Sequence, residues 1–301
     1  MSTHLPNSAK AFLFFGIAFG LTLTASLLYP LLGAITPLIH TYTPTLSVLI
    51  MMLVVTRDGY SKTGWVTLGL HRLGLRYWVL ALVGPLALMC ALYGLAWSSG
   101  VGQFVLPEGF TLPLLASNLS TGLGIAFALG LGEEIGFRAY ALPRLMHLGP
   151  TRALLLCGLM FAIWHFPLML LTPVYPVLGN WLIIGPILIL TLTFAGVFYG
   201  YLRLSSESVW PSTLAHGVIN TSFEWLALFT ATASPLALEL LVGEKGLLTL
   251  AATGLTAGFI LYRLRQRPGT LAEQLPAGVS VGEVSGDVPR SRVRPRDNMM
   301  A

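Results

Sequence analysis

Long apolar runs broken by short polar segments dominate this chain, and runs of about 20 apolar residues match a hydrocarbon core roughly 30 Å thick. Eight such segments are predicted, at about 11–32, 43–56, 76–97, 111–133, 152–172, 179–202, 209–232 and 246–262. The second is short unless it reaches back toward Pro37, and the fourth and seventh contain polar groups. The pattern predicts an all-α, polytopic transmembrane helix bundle of about eight spans over residues 1–267, with its polar motifs gathered at 133–220. Residues 268–301 are predicted to be a disordered basic tail, because a stretch rich in Gly, Pro, Val and Ser cannot bury a core.

Composition and charge support the membrane assignment. Of 301 residues, 55% are hydrophobic and only 10% charged, and the mean hydropathy of +0.77 lies outside the soluble range. Short cytoplasmic loops hold most Lys and Arg in membrane proteins. With the N-terminus inside, every one of the 17 basic residues except Lys245 falls on the cytoplasmic side, so both termini are expected there. The first apolar run is too long for a signal-peptide core and is expected to stay as an anchor. The net charge of +5 follows from this topology and gives no reason to expect a nucleic-acid partner. The basic cluster at Arg290, Arg292, Arg294 and Arg296 is read first as an orientation signal and second as a contact for anionic lipid. Cys90 and Cys157 lie within apolar segments, where free thiols act as small apolar groups, and no disulfide framework is implied.

Three polar patterns interrupt the apolar segments: Glu133-Glu134-x-x-x-Arg138, Phe161-x-x-x-His165 and His216-x-x-x-Asn220. Ionisable side chains are costly at membrane depth, so they face a bundle interior and mark functional sites. Adjacent helical positions point about 100° apart, which assigns the two carboxylates different tasks. Glu134, four residues before Arg138, can form an ion pair, leaving Glu133 free as a base. Phe161 and His165 share one helical stripe, so the ring can fix the imidazole, and Pro167 is expected to kink the helix nearby. His216 and Asn220 also share a stripe and offer two neutral donors to one place, as a developing oxyanion requires. Glu224 continues that stripe, with a role left open between pairing across the bundle and lying near the outer surface. Each pattern alone has an ordinary structural explanation: an interfacial charge cluster, a hydrogen-bonded core histidine, or a polar contact between helices. All three together read as one active site.

At these residues the chain resembles the CAAX-protease and bacteriocin-processing family of intramembrane endopeptidases, also called the Abi family. That family carries E-E-x-x-x-R, F-x-x-x-H and H-x-x-x-N in order within an eight-helix bundle, and all three patterns stand here between Glu133 and Asn220. The resemblance implies a glutamate-dependent peptidase. Glu133 and His165 would activate a water, His216 and Asn220 would form the oxyanion hole, and Glu134 and Arg138 would give structural support. It further implies a protein or peptide substrate in or at the membrane, possibly a lipidated one, and no cofactor. A bacterial inner membrane is the expected location. A zinc peptidase with Glu133, His165 and His216 as ligands is the closest rival, although the chain has no H-E-x-x-H. A non-hydrolytic immunity or scaffold protein is a second, and would need none of those four residues specifically. A transporter is a weaker reading, since no paired Gly/Pro-broken half-helices stand at matching positions.

Overall fold

The computed structural model describes residues 5–175 and 178–266, so the predicted tail lies outside the described residues. Among the described residues, ten α-helices of six residues or more build the fold: α1 (Asn7–Leu27), α2 (Thr36–Ile50), α3 (Trp78–Ser98), α4 (Leu112–Glu134), α5 (Pro150–Trp164), α6 (Phe166–Leu171), α7 (Trp181–Ser206), α8 (Trp210–Leu228), α9 (Pro235–Val242) and α10 (Leu247–Gln266). Short helical turns join some of them. A two-residue antiparallel pair, β1 (Gln103–Phe104) and β2 (Thr230–Ala231), ties the loop after α3 to the end of α8. The architecture is the expected all-α polytopic bundle.

Seven helical segments among the described residues are long and apolar enough to cross a membrane. Seven of the eight predicted segments correspond to them. The remaining one, 209–232, forms α8, which is 19 residues long but interrupted by Ser212, Thr213, His216, Asn220, Thr221, Ser222 and Glu224. Its polarity keeps it out of the apolar set, and helices α3, α4 and α7 pack against it. Large apolar side chains such as Leu182, 85% exposed, and Leu255, 77% exposed, face outward. That inversion of a soluble surface is what a lipid-facing bundle presents.

Three predicted boundaries move. The second helix starts at Thr36, with Pro37 in its first turn, and continues through a π-helical turn to Val55. Its early start brings His40 into the bundle. The fourth segment does not end at Glu133 and Glu134. It runs on as a π-helical turn, Ile135–Ala141, and then Leu142–Leu145. The fifth breaks at His165, between α5 and α6, with Pro167 in the first turn of α6.

Lipid tails are as apolar as the helices, so packing in a bundle relies on close van der Waals approach through small residues. The pair α5 and α7 shows this. A Cβ on Gly158 would stand 2.4 Å from the Thr193 carbonyl oxygen, and one on Gly196 would stand 2.8 Å from Gly158 Cα and 3.0 Å from Arg138 Nη2. The two glycines let the helix backbones meet and leave room for the arginine between them.

Candidate active site

Glu133 and Glu134 occupy the last turn of α4, and Arg138 sits in the π-helical turn that follows. π-turns inside α-helices recur at functional sites. The Glu134 carboxylate pairs with Arg138, Oε1 to Nη1 at 3.0 Å, and both side chains are fully buried. No N–H of the guanidinium makes a well-directed hydrogen bond to a described residue. Its charge lies over the Phe161 ring at 4.2 Å and near the Tyr199 ring at 5.1 Å. Phe161 therefore supports the arginine as well as the imidazole of His165.

The break at His165 has a local cause and a local consequence. Pro167 has no N–H with which to continue the helical ladder. The His165 N–H bonds to Ala162 O at 3.3 Å rather than to the carbonyl four residues back. Phe161 O, left without that partner, accepts from Nδ1–H of His165 at 2.9 Å. This fixes the tautomer of the neutral ring, so Nε2 carries a lone pair. Phe161 meets His165 edge to face at 4.7 Å, and Nε2 points toward Glu133 Oε2 at 3.9 Å.

His216 on α8 also approaches the Glu-Glu pair. Its ring stacks on Tyr199 of α7 at 5.2 Å, 9° from parallel. Nδ1–H donates to Glu134 Oε1 at 3.0 Å, and Nε2 stands 3.8 Å from Glu133 Oε2. One imidazole thus faces both carboxylates of the Glu-Glu pair. Glu133 Oε2 lies between two histidine Nε2 atoms, beyond direct hydrogen-bond length from either, and meets no hydrogen-bonding partner among the described residues. A neutral His216 that gives its Nδ1 proton to Glu134 has only a lone pair on Nε2. For this ring to donate from Nε2 it would need a second proton, with Glu134 as its counter-charge.

A cavity of about 440 Å³ opens beside these groups, lined by Glu133, His165, His216 and Asn220 among others. Asn220 lies one turn along α8 from His216 and is exposed to this cavity. Glu224, the residue without a firm expected role, lines the same cavity one turn further on. Cys90 and Cys157 are free, and Cys157 Sγ–H bonds to Phe137 O at 3.2 Å. Tyr199 and His40 are among the cavity residues that escaped sequence reasoning. Tyr199 looks like any aromatic in an apolar run. His40 stood outside a second segment drawn from 43, although the Thr36-Pro37 helix start was a usable signal.

The fold and the polar cluster at its centre define an integral, multi-pass helical membrane protein with a histidine- and glutamate-lined cavity. The family model described as Rce1-like, type II CAAX prenyl endopeptidase Rce1-like, matches residues 115–222. That segment contains every motif residue from Glu133 to Asn220, and the match bears out the resemblance to the CAAX-protease family. A search of curated proteins finds no match to the chain.

Proposed function

We propose that the protein is an intramembrane endopeptidase of the glutamate-dependent type, hydrolysing a peptide bond of a membrane-associated protein or peptide. The observation that carries this reading is the convergence of two imidazole Nε2 atoms on the unpartnered Oε2 of Glu133, at 3.9 and 3.8 Å. At these lengths the groups do not hydrogen-bond directly, and the reading places a shared water beside them. A water entering from the cavity can give one O–H to Glu133 and the other to the lone pair on His165 Nε2. Its own lone pair is then free to attack the scissile carbonyl carbon.

Glu133 takes a proton from that water as the C–O bond forms. The negative charge developing on the carbonyl oxygen is met by Nε2–H of a doubly protonated His216 and by the Asn220 carboxamide. Glu134 balances the His216 charge, and Arg138 balances Glu134. When the C–N bond breaks, the proton held by Glu133 passes to the leaving amine, which restores the carboxylate. Every step uses groups of this chain and one water.

The matched family description names a CAAX prenyl endopeptidase, so a prenylated protein is one substrate class for this cavity, and peptides of other membrane proteins are another. Lys10 and Arg144 both approach Asp58, at 3.9 and 3.5 Å, so these basic residues share one end of the bundle, which the reading assigns to the cytoplasmic side. Quantitative proteomics of membrane-protein termini, with the wild-type chain against Glu133→Gln, tests the reading. New termini that vanish in the variant support it, and identical termini in both overturn it.

A further inference from the structure

We infer that His40 is a substrate-contacting residue of this cavity, its imidazole bonding the main chain of the peptide beside the bond to be cut; this rests on the peptidase reading above. His40 belongs to α2, outside the matched segment 115–222. It is only 4% exposed and lines the same cavity as Glu133 and His165. Neither Nδ1 nor Nε2 has a hydrogen-bond partner among the described residues.

A histidine kept for packing satisfies its nitrogens, because an enclosed polar atom without a partner is destabilising. Here the ring is instead held by its faces. It stacks on Trp164 at 3.9 Å and 14°, and lies 5.6 Å from the His165 ring. Trp164 is itself anchored by Nε1–H donation to Thr43 Oγ1 at 3.1 Å, and Thr43 Oγ1–H donates to His40 O at 2.8 Å. The ring face is thereby held while both nitrogens, enclosed as well as unpartnered, are left for a peptide that enters the cavity and displaces the groups covering them. With no carboxylate bonded to it, the buried ring works as neutral imidazole, offering one N–H and one lone pair. A peptide unit presents the complementary pair, one C=O and one N–H. The neighbouring His165 Nδ1 is already committed to Phe161 O, so His40 is the imidazole of this wall with both nitrogens unpartnered.

The test uses the full-length protein in detergent and a synthetic peptide spanning the most abundant Glu133-dependent cleavage site found in membranes. His40→Phe keeps a flat ring against Trp164 and removes both nitrogens. It is expected to accumulate and melt at or above the wild-type temperature, while KM rises about tenfold and kcat changes little. His40→Gln, which restores a donor and an acceptor, is expected to recover part of the lost KM. Unchanged KM in His40→Phe overturns the inference, as does failure of that variant to accumulate, which assigns the nitrogens to the core. Glu133→Gln is run alongside: if it cuts the peptide at the wild-type rate, the peptidase reading falls and this inference with it. An inactive Glu133→Gln beside a kinetically normal His40→Phe removes only the His40 assignment.

Discussion

Glu134 Oε1 lies 3.0 Å from His216 Nδ1, joining a residue expected to be purely structural to one expected to hold the oxyanion. The same oxygen stands 3.0 Å from Arg138 Nη1. Arginine, glutamate and histidine thus form a buried chain of polar contacts that ends at the cavity. Glu134→Gln can still accept the Nδ1 proton but cannot balance a doubly protonated ring. Folded Glu134→Gln should therefore lose turnover, approaching the about 10² to 10³ that follows loss of one oxyanion donor. Full activity in that variant would return Glu134 to a support role.

Glu133→Gln should accumulate in the membrane and be inactive. The amide keeps the shape between His165 and His216 but cannot take the water proton, and general-base loss costs about 10² to 10⁴ in rate. Turnover of the purified variant on a cleaved peptide is the measurement, and near-normal turnover rules out Glu133 as the base.

Arg138→Ala should lower yield and melting temperature, because it strands Glu134 in a fully buried position at a cost of about 3 to 5 kcal/mol. Glu134→Gln/Arg138→Ala should recover part of the loss. Thermal unfolding in detergent separates these outcomes: an Arg138→Ala protein that melts normally and loses only activity reassigns the arginine to substrate binding.

Asn220→Ala and His165→Ala should differ in severity. The first deletes one donor at the cavity wall and should cost about 10² to 10³ in turnover. The second removes the lone pair that orients the water and should cost more. Equal inactivation of folded protein by both would leave the division between water activation and oxyanion binding without support.

The purified enzyme should carry no stoichiometric metal and keep its activity after prolonged chelation. In the proposed mechanism Glu133 must be free as a base and His216 must be protonated at Nε2, and a zinc ligand can be neither. Elemental analysis with chelator treatment and zinc add-back decides the point. About one zinc per chain with restorable activity would favour the zinc peptidase.

Gly158→Ala should destabilise the bundle without touching a polar site residue. Its Cβ would stand 2.4 Å from Thr193 O, a backbone atom of α7, and overpacking of this kind costs about 1 to 3 kcal/mol. A melting temperature equal to wild type would show that α5 and α7 tolerate separation.

What this sequence by itself determined is its class and the polar residues that gather at the candidate site. Long apolar runs leave helices as the economical way to satisfy a backbone in lipid, and polar groups inside such runs stand out because their burial is costly without a purpose. Glu133, Glu134, Arg138, His165, His216 and Asn220 were legible for that reason; Phe161, by its spacing from His165, and the Glu134–Arg138 pairing were legible from local spacing alone. Tertiary structure decided the relations between segments. A sequence carries no direct measure of which helices touch, so the approach of His216 to both carboxylates and the stack of Tyr199 on its ring could not be read from spacing. Helix boundaries decided the rest: starting α2 at Thr36 brought His40 into the bundle, and the π-turn after Glu134 carried Arg138 inward instead of ending the span. The polar face of α8 marked the site in the sequence, and packing by α3, α4 and α7 made room for it inside an apolar bundle.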